Sequence, residues 1–270
     1  SDYWYRKALL ELKGSNYALH LKEDQTVISH LSKKINSKVS DFSPFPVGDS
    51  LLYFSSVVRS EVLENEKTIG HQSRIYLSKN EDIAKEYRFL NDPNFHAANA
   101  SYNHDFTQLF FTLCKSSNNR TLDCQIYTSF LKQGLWSAPE LMGTAFNPKN
   151  SNNTHPKWAI WNGAEGLFIS SNRIGGEGQQ DIWFVTMQGK AVLLRNGINT
   201  SGNEVTPFYN MQEEKLYFSS DFHPGIGGYD IFEASWNPNW GLVTNVGTPL
   251  NSSHNDLYYI SSLKDPLSGY

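Results

Sequence analysis

Apolar and polar positions alternate along most of this chain in runs of four to six residues, the period of a half-buried strand. Leu216–Ser220 (LYFSS) and Asp230–Ala234 (DIFEA) are the clearest pair. Between them, His223–Gly228 carries Pro and Gly, the residues of a turn, so the stretch predicts a hairpin. The chain repeats it. Leu167–Val185 (LFISSNRIGGEGQQDIWFV) lies over Leu216–Ala234 residue by residue. Leu51–Ser56 with Arg74–Ser78, and Leu109–Cys114 with Gln125–Ser129, supply two further hairpins of the same kind.

A second marker closes each unit: an apolar residue followed by Asn, at Ile35-Asn36, Leu90-Asn91, Phe146-Asn147, Ile198-Asn199 and Leu250-Asn251, at intervals of 55, 56, 52 and 52 residues. A period near 50 with about four short strands inside it predicts a β-propeller blade, a small sheet whose faces are buried only by its neighbours. The fold class expected is therefore all-β, a propeller of four-stranded blades. Innermost strands are expected at Asp41–Phe45, Asn99–Asp105, Asn153–Ile160, Glu204–Tyr209 and Asp256–Ser262. Five such strands against four hairpins predict five blades in a single domain over residues 1–270, the last blade joining the C-terminal strand to N-terminal strands at Lys7–Lys13, Tyr17–Lys22 and Val27–Ile35. A rival reading stands for residues 1–14. Trp4, Ala8 and Leu9 or Leu12 share a helical face, so the segment also reads as the last helix of a preceding helical repeat domain, with the chain then part of a six-bladed ring. The polar insert Val58–Gln72 is expected to be a solvated loop.

Composition changes this picture little. Net charge is −4 with mixed signs, which gives no reason to expect nucleic acid. No apolar run of the length of a membrane span occurs. Cys114 and Cys124 are the two cysteines. Each sits beside the turn of one hairpin, and a bridge between them would place the chain in an oxidising compartment. Two free thiols are the alternative.

The repeats resemble WD40-like propeller repeats of the TolB type. The resemblance rests on the FSS–Gly-loop–DIF pattern at Phe218–Phe232, on SSNRIGGEGQQDIW at Ser170–Trp183, and more weakly on DFSPFPVGDSLLYFSS at Asp41–Ser56. This version looks most like propellers of Bacteroidota cell-envelope proteins, some of the type IX secretion and gliding machinery. The resemblance implies a periplasmic or outer-membrane-associated, lipoprotein-anchored scaffold that binds other envelope proteins and has no cofactor. Lys115–Asp123 departs from the pattern, replacing the Gly loop.

Candidate chemistry is sparse. One polar position recurs at the start of each expected inner strand: Asp41, Asn99, Asn153, Glu204 and Asp256. Together they would ring a channel mouth able to attract a cation, a sugar or a basic peptide; equally, each would cap the turn before it. Trp158 and Trp161 are candidates to stack on a sugar or a peptide, or to pack between blades. Asp181 and Asp230 follow Gly-rich loops and suit loop capping, without the spacing of a calcium site. No metal-ligand spacing and no nucleophile elbow occurs. The function expected is a non-enzymatic scaffold with a peptide or glycan ligand at its face. The alternative is a five-bladed glycoside hydrolase or carbohydrate-binding propeller, for which Asp41, Glu204 and Asp256 are the carboxylates at suitable positions.

Overall fold

The computed structural model describes residues 2–20, 26–48, 50–61, 69–116, 122–261 and 268–270. A helix, α1 (Asp2–Ala18), comes first. Four sheets follow in chain order. The first holds β1 (Asp41–Val47), β2 (Leu51–Glu61), β3 (Ile69–Lys79) and β4 (Lys85–Glu86). The second holds β5 (His96–Tyr102), β6 (Gln108–Ser116), β7 (Leu122–Lys132), β8 (Leu135–Trp136) and β9 (Glu140–Leu141). The third holds β10 (Asn153–Trp161), β11 (Ala164–Ser171), β12 (Asp181–Thr186) and β13 (Ala191–Leu193). The fourth holds β14 (Glu204–Asn210), β15 (Lys215–Ser220), β16 (Asp230–Ser235) and β17 (Thr244–Asn245). Strands lie in sequence order, save that β9 pairs with β7 beside β8, as in the blades of a β-propeller, so the fold class is the one the repeat predicts. The chain divides into two compact units, Ser1–Ser29 with Lys157–Tyr270, and His30–Pro156.

The two overlaid hairpins share one register. Ser171 pairs with Asp181 and Leu167 with Val185; Ser220 pairs with Asp230 and Leu216 with Ala234. In the first unit Phe168, Phe184, Phe218 and Phe232 fill one apolar cluster, each at most 2% exposed. In the second, Ile75, Leu109 and Phe111 do the same, each 0% exposed.

The apolar-Asn marker has a definite job. The Asn147 side-chain carbonyl accepts the Ile126 N–H at 2.8 Å while its amide donates to the Ile126 carbonyl at 2.8 Å. Asn91 holds Ile75 in the same way, Asn199 holds Ile182 and Asn251 holds Ile231. One amide side chain thus takes the N–H of the third-strand Ile and shares its carbonyl with the backbone N–H of the residue just past the fourth strand: Tyr87, Met142, Leu194 or Val246. The fourth strand can then stop after two or three residues without leaving buried N–H and C=O groups unpaired.

Each first strand is broken by one residue in the left-handed region: Ser43, Asn99, His155 and Thr206 at φ of 54°, 63°, 56° and 52°. The register of β1, β5 and β14 shifts there, so these are bulges. Tyr258, at 67°, keeps the same place in the fifth repeat, where Ile260 and Tyr270 exchange backbone bonds and Ser261 bridges Gly269.

Three expectations for the N-terminal region are corrected. Lys7–Lys13 lies inside α1, and Tyr17 and Ala18 complete that helix rather than opening a strand. Residues 26–35 contain a turn and no strand. The reason is local: Ala, Leu, Glu and Lys favour helix, and the Asp2–Arg6 and Lys7–Glu11 pairs at four-residue spacing support it. The end of the Tyr17–Lys22 segment and residues 62–68 of the polar insert lie outside the described residues; the flanks of the insert continue β2 and β3 as a long hairpin.

Candidate functional site

The recurring polar position is a turn cap wherever it carries an acid. The Asp41 carboxylate accepts the Ser37 N–H at 2.6 Å and the Ser37 hydroxyl at 3.0 Å. Glu204 accepts the Thr200 N–H at 2.8 Å and the Thr200 hydroxyl at 2.6 Å. Asp256 accepts the Ser252 N–H at 2.7 Å and the Ser252 hydroxyl at 3.0 Å. A Ser or Thr four residues before the acid is the sequence signal. Asn153 is fully buried and donates to the Ser151 hydroxyl at 3.0 Å. Asn99 is displaced from this set. The residue opposite the second hairpin at that register is Ala97, paired with Leu113 as Glu204 is with Ser220. Asn99 instead occupies the bulge two residues on, where it stands in the row of Ser43, His155 and Thr206.

The three acids sit in unequal surroundings. Asp41 and Asp256 are half-buried. Glu204 is 0% exposed and takes a further hydrogen bond from the Ser220 hydroxyl at 2.8 Å. Burial raises its pKa to about 7; the hydroxyl and amide donors pull it down, and the nearby Asp181 charge pushes it further up. Asp181 is itself buried, and that burial raises its pKa, with the Glu177 charge adding to the effect. It accepts the N–H groups of Glu177 and Gly178 at 3.0 and 3.2 Å. Glu177 is partly exposed and ion-paired with Arg195 at 3.3 Å. Glu177, Asp181 and Glu204 therefore form a chain of interacting carboxyls that runs from the surface of this unit into its interior.

The Gly loops make this possible. A Cβ at Gly176 would run into the Asp181 carboxylate, and one at Gly225 into that of Asp230. The loops also stitch neighbouring repeats. Gln179 N–H donates to the Gly202 carbonyl at 2.8 Å and Glu204 N–H to the Gln180 carbonyl at 2.7 Å; Gly228 N–H to the His254 carbonyl and Asp256 N–H to the Tyr229 carbonyl repeat the pattern one blade later. Asp181 and Asp230 thus cap their loops.

Helix α1 lies on the same loops. Tyr3 packs on Phe222 with ring centroids 5.2 Å apart, the Lys7 ammonium donates to the Asp221 carbonyl at 2.6 Å, and the Tyr17 hydroxyl reaches Asn245 at 3.4 Å. Beside the helix is a cleft of about 550 Å³, within the size range of small-ligand sites. Arg6, Leu9 and Lys13 of α1 line it, facing Glu177, Ser201 and Phe222. Spacing in the sequence offered a helix over residues 1–14 but not the loops it lies against, so the sequence reading missed the cleft and Glu177.

The two tryptophan candidates separate. Trp161 is 8% exposed and packs against Phe184, Trp236 and Trp240, at centroid distances of 5.1, 4.8 and 5.5 Å. It is core. Trp158 is half-buried and donates its indole N–H to Glu165 at 2.8 Å.

In the other unit Cys114 and Cys124 face each other across β6 and β7 and form a disulfide. The bridge fits an oxidising, extracytoplasmic compartment. No helix among the described residues is long and apolar enough to cross a membrane, and none of their His, Cys, Asp and Glu side chains cluster in threes to hold a metal.

No protein-family model matches the sequence, and no curated protein matches it. Solved structures do. The chain is similar to Zg3597, a family 117 glycoside hydrolase of Zobellia galactanivorans, at 13% identity and TM-score 0.50, over 93% of this chain and 87% of that one. It is similar to an endo-arabinase of Bacteroides thetaiotaomicron at 17% identity and TM-score 0.49, over 83% and 86%. A third match, a puromycin-hydrolysing peptidase of Mycobacterium tuberculosis, has 10% identity and TM-score 0.46; this chain covers 32% of its length. At such identities the likeness bears on the fold. Of the family expectation it supports the β-propeller; the neighbours named here are not TolB-type or type IX secretion proteins. It likewise overturns the reading of a non-enzymatic scaffold. The neighbours named are enzymes, against that expectation, and the likeness itself extends to the fold alone.

Proposed function

We propose that this chain is a carbohydrate-active propeller that hydrolyses a glycosidic bond, acting outside the cytoplasm, in the periplasm or at the outer membrane. One observation carries the reading: interacting carboxyls in opposite environments beside a ligand-sized cleft. Glycoside hydrolysis needs one carboxyl that holds a proton near neutral pH and one that is ionised. Glu204, whose pKa burial raises to about 7, suits the first role. Glu177, on the cleft wall and paired with Arg195, suits the second. The fold likeness to glycosidases supports the same class. The test is turnover of a panel of aryl glycosides and oligosaccharides by the wild-type chain, Glu177→Gln and Glu204→Gln. Each variant is expected to lose roughly 10²–10⁴-fold in kcat, the contribution of one positioned acid or base. Full activity in both variants, or none in the wild type, would sink the assignment. A second reading, glycan binding without hydrolysis, is favoured by the hydrogen bonds that already occupy both Glu204 oxygens. Saturable glycan binding with no turnover would select it.

A further inference from the structure

We propose that the cleft between α1 and the loops of its own unit is selective for an acidic saccharide, one whose sugar bears a carboxylate. The proposal rests on the carbohydrate reading above and names the substrate class of that site. The chain as a whole carries a net charge of −4, yet the helical wall of the cleft is cationic, with Arg6 and Lys13 both lining it. The acid opposite, Glu177, has Arg195 at 3.3 Å, whose charge offsets part of its own. Lys13 has no acidic partner among the described residues. Arg6 is paired with Asp2 at 2.8 Å, but both side chains are more than half exposed, and such a pair is weak in water. A ligand carboxylate can therefore displace Asp2 and take the guanidinium fork, which matches two carboxylate oxygens at once.

The remaining lining suits the rest of a sugar. Leu9 and Phe222 offer apolar surface to the C–H face of a pyranose ring. The Ser201 side chain offers a hydroxyl to the ring substituents. Lys7 does not compete for the ligand. Its ammonium is held on the Asp221 carbonyl at 2.6 Å and lies 5.8 Å from the Phe222 centroid, which anchors the helix to the loop. The cation pair that reads the ligand is thus separate from the cation that docks the wall.

Calorimetric titration with digalacturonic acid and with neutral galactobiose tests this. The wild-type chain is expected to bind the acidic disaccharide at least about tenfold more tightly, with affinity falling as salt is added. Arg6→Gln combined with Lys13→Gln is expected to remove the acid preference, bringing the acidic and the neutral disaccharide to equal affinity. Hydrogen exchange over residues 2–18 reports whether the helix stays docked in the variant. If it undocks, Lys13→Gln alone is used, with a partial loss expected. Equal binding of the two disaccharides by the wild type, no binding of either, or unchanged acid preference in a docked variant would overturn the proposal. The two readings fail separately. Acid-selective binding without turnover removes hydrolysis alone, and turnover of neutral glycosides without acid preference removes the charge selectivity alone.

Discussion

At the scale of single residues, side chains substitute for backbone throughout this molecule. The Asn of each apolar-Asn marker stood out in the sequence as a spacing, and its period marked out the repeats. Its chemistry did not stand out, because in four of the five markers the Ile it holds is 16 to 21 positions earlier and nothing local to Asn announces the reach. We expect Asn199→Ala to cost roughly 1–3 kcal/mol in denaturant unfolding, since it leaves the N–H of the fully buried Ile182 without a partner while the Ile182 carbonyl keeps the Leu194 N–H at 3.2 Å. Asn199→Asp keeps the acceptor but sets a carboxylate against the Ile182 carbonyl, and should be no better. A loss under about 0.5 kcal/mol in either would mean that the clamp is not holding the strand. Asn99 teaches the complementary lesson. Polar character suggested the capping position, but the pairing of Ala97 with Leu113 puts Asn99 two places on, in the bulge, and a bulge is invisible to alternation.

At the scale of elements, the hairpins were legible and the helix was ambiguous, for a physical reason. A strand buried on one face writes its alternation into the sequence, and the Gly loops mark where it turns. The helix does not bury its apolar stripe. Trp4, Tyr5 and Leu12 are 73%, 70% and 67% exposed, while the side turned to the loops carries Tyr3, Lys7, Gly14 and Tyr17. Gly14 is the only buried residue of α1, and a Cβ there would meet the Gly225 carbonyl. The helix is thus seated by close backbone approach, two polar contacts and the Tyr3–Phe222 ring contact rather than by the stripe of Trp4, Tyr5 and Leu12. Gly14→Val should therefore lift α1 off the loop, seen as faster hydrogen exchange over residues 2–18, with protection in β11, β12, β15 and β16 unchanged. Lys7→Met, which removes one hydrogen bond, should loosen the helix less, by about 1 kcal/mol. Unchanged exchange in Gly14→Val would show that the helix is held by something other than this approach. The disulfide belongs to the same scale: its partners flank a hairpin turn, so their placement was readable before their geometry.

For the molecule as a whole, the buried ionisable groups set how stability moves with pH, and their signs oppose. Glu204 has a folded pKa of about 7 against an ordinary 4.5. The folded state binds this proton more tightly than the unfolded one, so its contribution is full below about pH 4.5 and is lost as pH rises through about 7. Lys157 is buried in the same unit, and burial lowers its pKa from 10.5 to about 7. The folded state holds that proton less tightly, so its contribution is full above about pH 10.5 and is lost as pH falls through about 7. Around neutrality both groups are penalised together, and a stability minimum near pH 7 follows for their combined effect. Glu204→Gln removes the acid limb. Its stability relative to wild type should rise by up to about 3 kcal/mol between pH 4.5 and 8, since each tenfold difference in proton affinity between the folded and unfolded chain is worth about 1.4 kcal/mol. Lys157→Met removes the other limb, and its advantage over wild type should shrink as pH rises from 7 to 10.5. Urea unfolding of the three chains across this range reads both slopes. Were Glu204→Gln to run parallel to wild type from pH 4.5 to 8, the Glu204 proton would not be held near neutrality, and the acid role assigned to it would fall with the slope.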